Sequence, residues 1–491
     1  MKMYKTDFGH INPIYLKDFY KVSHFKMYPE GTTRIVSNFT PRKSRLEGIN
    51  YSVFFGLKYL IEEHLDGFNI MFFNKPLKKV LTEYQKVMKQ TLGYDRHWDN
   101  IEALHKLGYL PIEIKSLPEG AIVPCGVPAL VIFNTHPAFY WVTNMLETML
   151  SCVLWGACTS ATIAREYRLI LDRYAIETSD MPEFVDYQAH DFSFRGMYGM
   201  EAAVLSGMAH LNYFKGSDSI PAILAGNHYY NKPLSHGTSI PASEHSIHSA
   251  AGKENELENY KRLITEVYPA GMISLVMDTW DLFNVIDKYL PVLKKDIMQR
   301  NGRVICRPDS GDPVKIICGD NRAVPGSSER AGVIERLWDI FGGTINSKGY
   351  KQLDSHIGAI YGDSITLDRC EKICAQLKQK GFASTNIVFG VGSYSYQYQT
   401  RDSLGWAMKA TYAEINGKGI AITKNPKTDD GTKKSHSGLL KVIKVDNHSK
   451  LSKNGKTYKV LENMPWNEFV SQENELKTVY KDGEQILEVP F

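Results

Sequence analysis

Four short apolar runs in the middle of the chain each end on residues that handle anions or sugar hydroxyls. Ile273–Met277 is followed by Asp278, Arg303–Cys306 by Arg307-Pro-Asp309-Ser-Gly311, Ile357–Tyr361 by Gly362-Asp363, and Asn386–Phe389 by Gly390-Val-Gly392. The planar fork of Arg307 suits a phosphate, and Asp309 two residues on can accept from a ribose hydroxyl or a Mg²⁺-bound water. Asp278 and Asp363 supply further carboxylates. Gly390-Val-Gly392-Ser393-Tyr-Ser395 departs from a dinucleotide fingerprint at its third glycine position. It reads better as a phosphate cradle, because glycines expose backbone N–H groups and a following helix start favours an anion.

Upstream, His190-Asp-Phe192-Ser-Phe194-Arg195-Gly196 sets aromatics beside an arginine. Aromatics can stack on a flat heterocycle while the arginine binds a phosphate; on composition alone, core packing accounts for the two phenylalanines. Pro241-Ala-Ser-Glu244-His245-Ser-Ile-His248 carries two histidines three apart. No third ligand has metal spacing, so a reactive His245 beside Glu244 and a structural histidine both stay open. Cys370 and Cys374, four apart on one helix face, read as small core residues. There is no Walker A sequence, no Gly-x-Ser-x-Gly elbow and no His-Glu-x-x-His.

Strands of this kind, alternating with segments of helical composition between about residues 186 and 404, imply βα units closed into a parallel sheet or barrel. Such folds build their sites at the strand ends where these polar residues fall. A helix is expected from Asp281 and another from Thr366. Earlier, Ile112–Leu117 and Ala121–Pro124 read as strands split by a turn at Pro118–Gly120, and Trp141–Tyr174 as a long helical pattern broken near Gly156. The last ~90 residues return to strands around a lysine-rich loop, Lys424–Lys434, and are expected to pack with the N-terminal part.

With 491 residues, the chain can bury a large core in two or three domains. Hydrophobic residues are 43% and charged residues 23%, the balance of a soluble globular protein. A net charge of +4 is too small to point to nucleic acid. The apolar stretch Met145–Cys158 is interrupted by Glu147 and too short to span a bilayer, and the first residues lack a signal-peptide pattern. Seven scattered cysteines fit reduced thiols in a cytoplasm.

Seven segments occur together and in order: Asp18-Phe-Tyr20-Lys-Val-Ser-His24, His190–Gly196, Asn212-Tyr-Phe-Lys-Gly-Ser-Asp218, Pro241–Ser246, Arg307–Gly311, Gly362-Asp363 and Thr400-Arg401-Asp402. The ordered set resembles the nicotinamide phosphoribosyltransferases, type II phosphoribosyltransferases, over nearly the whole chain. The resemblance implies an irregular α/β barrel (161–404) beside a β-rich domain built from both chain ends (1–160 and 405–491). It implies a pentosyltransferase of NAD salvage that joins nicotinamide to phosphoribosyl pyrophosphate (PRPP), with Mg²⁺ as cofactor, ATP as co-substrate and a homodimer with shared sites.

By resemblance, Phe192 and the partner subunit's Tyr20 would sandwich the pyridine, and Asp218 would accept from the carboxamide. Arg195 and Arg307 would grip the pyrophosphate side, with Asp309 near the ribose. Gly362, Asp363, Gly392, Ser393 and Arg401 would surround the ribose and its 5′-phosphate. Ser274 and Asp278 join the candidate set from their strand, His245 matches the histidine that ATP phosphorylates, and Arg42, Lys424 and Lys433 (or Lys434) match basic positions near the phosphates. Ser393 stands where the family commonly has another glycine, and Tyr394-Ser-Tyr396 is bulkier than usual. The alternatives are a nicotinate phosphoribosyltransferase, against which Asp218 argues, and a non-catalytic nucleotide-binding barrel.

Overall fold

The computed structural model describes residues 11–93, 99–423, 435–446 and 456–487. It divides into two compact units, one of residues 1–162, 226–231 and 399–491, the other of residues 163–225 and 232–398.

The first unit is built on a seven-stranded antiparallel sheet that interleaves the two ends of the chain. Its order is Lys418–Ala421, Trp406–Ile415, Thr32–Pro41, Leu130–Asn134, Ile112–Ser116, Lys477–Lys481 and Glu484–Gln485. Thr32–Pro41 and Trp406–Ile415 pair along almost their full lengths, and Phe39 stacks on Trp406 with ring centroids 4.3 Å apart. Such cross-strand aromatic pairs are the unit of sheet stability, here linking segments more than 360 residues apart. The β-rich domain expected from both ends is therefore present.

The second unit contains six parallel strands: β1 (Ala189–Asp191), β2 (Gly216–Ser217), β3 (Ile273–Val276), β4 (Val304–Arg307), β5 (Ile357–Tyr361) and β6 (Ile387–Val391). They run in the order β2-β1-β6-β5-β4-β3. Every residue of β3, β4 and β5 is buried, as parallel strands covered by helices require. The two edges, β2 and β3, are joined by a short segment without regular structure. Thr238 forms a parallel bridge to Gly216 and Ala242 one to Ser274. The N–H of Ser217 donates to Thr238 (3.0 Å), and the N–H of Ser274 to Pro241 (2.9 Å). Residues 238–242 thus act as a seventh stave and close an irregular barrel.

Two expected helix starts are capped by side chains. Asp281 accepts from the N–H of Asn284 at 3.0 Å, and Thr366 from that of Arg369 at 3.2 Å. The expected break near Gly156 is absent. Glu147–Thr178 is one continuous helix, and the bend of 41° falls before it, against Pro137–Met145. A glycine inside a helix costs only ~1 kcal/mol relative to alanine. The burial of Leu150, Leu154, Ala157, Ala161 and Ala164 along this helix outweighs that cost. Among the described residues no single helix is long and apolar enough to cross a membrane, although the bent pair passes on length and composition together.

Candidate active site

The candidate residues of the barrel unit gather where β1–β6 end. Phe192 and Arg195 follow β1, Asp218 follows β2, Asp278 lies just beyond β3, Arg307 ends β4, Gly362 and Asp363 follow β5, and Gly392 and Ser393 follow β6. Two cavities meet there, with Phe192 on the wall of both.

The first, about 470 Å³, runs through the barrel. His190, Asp218, Ser239 and Ser274 line it, and it extends to Tyr187 and Asn386, which lie before β1 and β6. Asp218 is the acceptor of this cavity. His190 Nε2 lies 2.8 Å from its Oδ1, and the Ser239 hydroxyl donates to the same oxygen at 2.6 Å. Burial disfavours its charge, but the hydrogen bond and charge of His190, then Ser239 and Arg307, hold its carboxyl below the usual carboxylate range. Ser274, buried, presents a hydroxyl with no hydrogen-bond partner among the described residues. Buried polar atoms without partners are uncommon and suit a ligand that completes them. His190 and Ser239 lie outside the candidate set drawn from the sequence: His190 stands in a singled-out motif without a role, and Ser239 gives no signal beyond its closeness to Pro241.

The second cavity, about 460 Å³, is lined by Arg195, Arg307, Asp309, Gly362, Asp363, Gly392 and Ser393 among others. Arg307 is largely buried, its guanidinium 5.1 Å from the centre of the Phe192 ring. Its nearest carboxylate contact among the described residues, Asp309 Oδ2, is 4.0 Å away, and its Nε has no hydrogen-bond partner among them. The cation is thus held by packing, by a hydrogen bond from Nη1 to the Ser243 carbonyl (3.5 Å) and by one long ion pair, which leaves part of its donor fork for an anion. Two glycines make this junction possible. A Cβ on Gly390 would lie 2.5 Å from the Phe192 ring, and one on Gly362 2.3 Å from the Asp309 carboxylate. The helix after Gly392 is shorter than a cradle reading favours: Ser393–Tyr396 spans four residues, so its dipole adds little.

His245 opens a seven-residue helix with its side chain half exposed. Its Nδ1 is 3.2 Å from the Thr279 hydroxyl, and its Nε2 lies 3.7 Å from Asp309 and 4.0 Å from Asp278. The Asp278 side chain is largely buried, with one oxygen accepting from the Asp309 N–H (2.8 Å) and the Ser310 hydroxyl, and the other without a hydrogen-bond partner among the described residues. His248 points elsewhere. Its Nε2 is 2.8 Å from Ser243 and its Nδ1 3.2 Å from Asn259, and burial pushes its pKa down to about 4. It is a structural histidine, and among the described residues no group of three or more His, Cys, Asp or Glu side chains could hold a metal. Cys370 and Cys374 are core residues, as expected, and none of the seven cysteines, all among the described residues, forms a disulfide.

Tyr20, Arg42 and Arg401 belong to the other unit. Tyr20 is exposed, with Lys21 Nζ 5.3 Å from its ring centre. Arg42 donates through Nε to Gly405 at 3.2 Å and lines a cavity of about 370 Å³ with Lys43, Lys409 and His436. Lys409 is not among the sequence candidates; its neighbourhood with Arg42 depends on strand pairing across the whole chain. Arg401 is exposed at the start of a short turn. Lys424, Lys433 and Lys434 lie outside the described residues.

Residues 187–484 match the model of the nicotinate phosphoribosyltransferase (NAPRTase) family, and residues 12–114 match that of the nicotinamide phosphoribosyltransferase N-terminal domain. A nicotinamide phosphoribosyltransferase of Acinetobacter baylyi is 46% identical over 92% of this chain and 94% of its own. The chain belongs to the nicotinamide phosphoribosyltransferase family. One from Mycoplasma pneumoniae is 36% identical over 87% of this chain and 95% of its own. In fold, the chain is similar to nicotinate-nucleotide pyrophosphorylase from Pyrococcus furiosus (TM-score 0.53, 14% identity, 99% and 94% of the two chains). It is equally similar to human nicotinic acid phosphoribosyltransferase (TM-score 0.53, 15% identity, 96% and 90%).

Proposed function

We propose that this protein is a nicotinamide phosphoribosyltransferase, forming nicotinamide mononucleotide and pyrophosphate from nicotinamide and PRPP. The observation that carries this reading is the pair of cavities meeting at Phe192, one ending in the Asp218 carboxylate, the other lined by Arg195, Arg307 and two glycine turns. A base held in the first and a sugar phosphate in the second would meet where the new bond forms. Membership of the family, with relatives named for this activity at up to 46% identity, supports it.

The reaction breaks the bond between ribose C1 and pyrophosphate and makes one to the pyridine nitrogen. The transition state carries positive charge on the sugar and growing negative charge on the leaving group, so catalysis rests on positioning and electrostatics. Arg195 and Arg307 stabilise the departing pyrophosphate. Asp309 orients the ribose and tolerates its positive charge. Phe192 fixes the plane of the base, and Asp218 accepts from its carboxamide N–H. The partnerless Asp278 oxygen and Asp309 fit a Mg²⁺ carried in with PRPP, since this ion is usually held by one or two carboxylates and substrate phosphates. When bound, that ion supplies charge neutralisation at the pyrophosphate.

In the same reading ATP is a co-substrate. With Nδ1–H donated to Thr279, His245 presents the Nε2 lone pair to the γ-phosphoryl group. A nitrogen–phosphorus bond forms as the β,γ bond of ATP breaks and ADP leaves; water later breaks the nitrogen–phosphorus bond, releasing inorganic phosphate and the free histidine. The added charge lies beside Asp278 and Asp309, where it acts on the Mg²⁺–PRPP complex. The enzyme works as a cytoplasmic homodimer in which Tyr20, Arg42, Lys424 and Lys433 of one subunit serve the other's barrel.

The test is purified protein with PRPP, Mg²⁺ and either nicotinamide or nicotinate, with and without ATP, scored for mononucleotide. Product from nicotinamide, raised by ATP in the wild type but not in His245→Ala, is expected. Product from nicotinate alone rejects the substrate assignment, and an ATP response retained by His245→Ala rejects the phosphohistidine.

A further inference from the structure

Behind the two cavities lies a buried histidine that the chemistry does not use. His210 is wholly buried near the end of helix Met200–His210. Its Nε2 is 3.0 Å from the carbonyl oxygen of Gly216 in β2, and its Nδ1 is 2.7 Å from the hydroxyl of Tyr396. A carbonyl only accepts, so Nε2 carries the proton. In the neutral ring Nδ1 is then the acceptor of the Tyr396 O–H. Burial, which lowers the pKa of His210, favours that neutral form.

The two ends of this chain of hydrogen bonds belong to different binding elements. Tyr396 is the last residue of the short helix that follows Gly392 and Ser393, and it is itself buried. Gly216 lies two residues before Asp218, and its backbone is pressed against His190, the hydrogen-bond partner of Asp218. Asp218 directly follows β2, so a shift of that strand carries the acceptor with it, and its N–H donates to the Asp191 carbonyl of β1 at 3.1 Å. The same loop is tied on its other side, where the Ser395 hydroxyl donates to the Ile365 carbonyl at 2.8 Å and lies 2.7 Å from Tyr167. Its backbone has little freedom to move without pulling on Tyr396.

We propose that His210 is a positioning residue that couples the two substrate sites: the Tyr396 O–H···Nδ1 and Nε2–H···O=C Gly216 bonds hold the phosphate loop after β6 in register with the Asp218 base acceptor after β2. This rests on the functional reading above. Occupancy of the phosphate loop by PRPP fixes Tyr396, and through His210 it fixes the strand that presents Asp218. By linkage, the base then favours PRPP in equal measure.

The experiment measures initial rates with nicotinamide varied at low and at saturating PRPP, for the wild type, Tyr396→Phe, His210→Gln and the double variant, each checked for an unchanged circular-dichroism spectrum. Tyr396→Phe keeps the ring and removes one hydroxyl, so it stands as the test even where His210→Gln folds poorly. In the wild type the KM for nicotinamide is expected to fall as PRPP rises. In Tyr396→Phe that dependence disappears, and the KM for nicotinamide at saturating PRPP rises by about five-fold, the lower end of site-to-site coupling. The double variant adds no further increase.

A Tyr396→Phe enzyme altered only in its KM for PRPP, or a wild type whose two KM values are independent, overturns the coupling. A wild type that makes no mononucleotide overturns the functional reading and the coupling with it.

Discussion

The two cavities that share Phe192 solve opposite problems. In the proposed reading the base cavity must choose between a neutral and an anionic pyridine of nearly one shape, and it does so with a single charge, Asp218, already hydrogen-bonded by His190 and Ser239. The phosphate cavity must bind a heavily charged molecule and release a charged product. In the same reading it uses Arg195 and Arg307, the latter in a long 4.0 Å pair with Asp309, and glycines that clear space beside them. Selectivity is thus concentrated in one carboxylate, while binding strength is spread over a ring of strand ends. Substitutions on the two sides should separate the two properties.

The largest effect is expected from Arg307→Ala. Arg307 serves the phosphate cavity and covers the Phe192 ring, so its loss should lower kcat/KM by about 3 kcal/mol, roughly 10²-fold, with both KM values raised. A change confined to the KM for PRPP would show that its packing on Phe192 is irrelevant.

Next comes Asp218→Asn, which should leave the KM for PRPP nearly untouched and narrow the preference for nicotinamide over nicotinate by roughly ten-fold, read as the ratio of kcat/KM values. An unchanged ratio would remove Asp218 as the selector. The pH profile sharpens this point. The pKa of Asp218 is depressed in the folded protein, so its favourable charge is present above the ordinary carboxylate pKa and is lost only as pH falls through the lower folded value. The affinity for nicotinamide should therefore persist through the range where unperturbed aspartates protonate.

The smallest effect is expected from Gly390→Ala. Its added Cβ must displace the Phe192 ring, at a cost of ~1–3 kcal/mol for overpacking. This should appear mainly as a KM for nicotinamide raised by about five-fold, the low end of that cost, and an equal rise for PRPP would mean that the ring and the phosphate loop move together.

Much of the phosphate cavity is legible in the sequence. Strands β3 to β6 announce themselves as short apolar runs, and the residues after them, Asp278, Asp309, Gly362 and Gly392, are adjacent in the chain to the elements that aim them. The base cavity is less open to reading. Its β2 is two residues long, too short to show a period, and the closing stave 238–242 has no strand pattern at all. Ser239 reaches Asp218 only because that stave lies beside β2. Tyr396 shows the same limit. In sequence it is an oversized residue in a phosphate loop, and its partner His210 lies 186 residues away. The misplaced helix break at Gly156 has the converse cause, a local preference overruled by burial along the whole helix.

The seventh stave has a further consequence. Residues 238–242 join their neighbours through isolated bridges rather than a continuous ladder, so fewer backbone bonds fix their composition than fix that of the strands. Yet this stretch carries Ser239, a donor to the selecting carboxylate, and leads directly into His245. The part of the wall without regular strand structure is therefore also the part next to Asp218 and His245. Evolution, or a protein engineer, could revise which heterocycle the enzyme accepts by editing this one loop, leaving the phosphate-binding strand ends as they are.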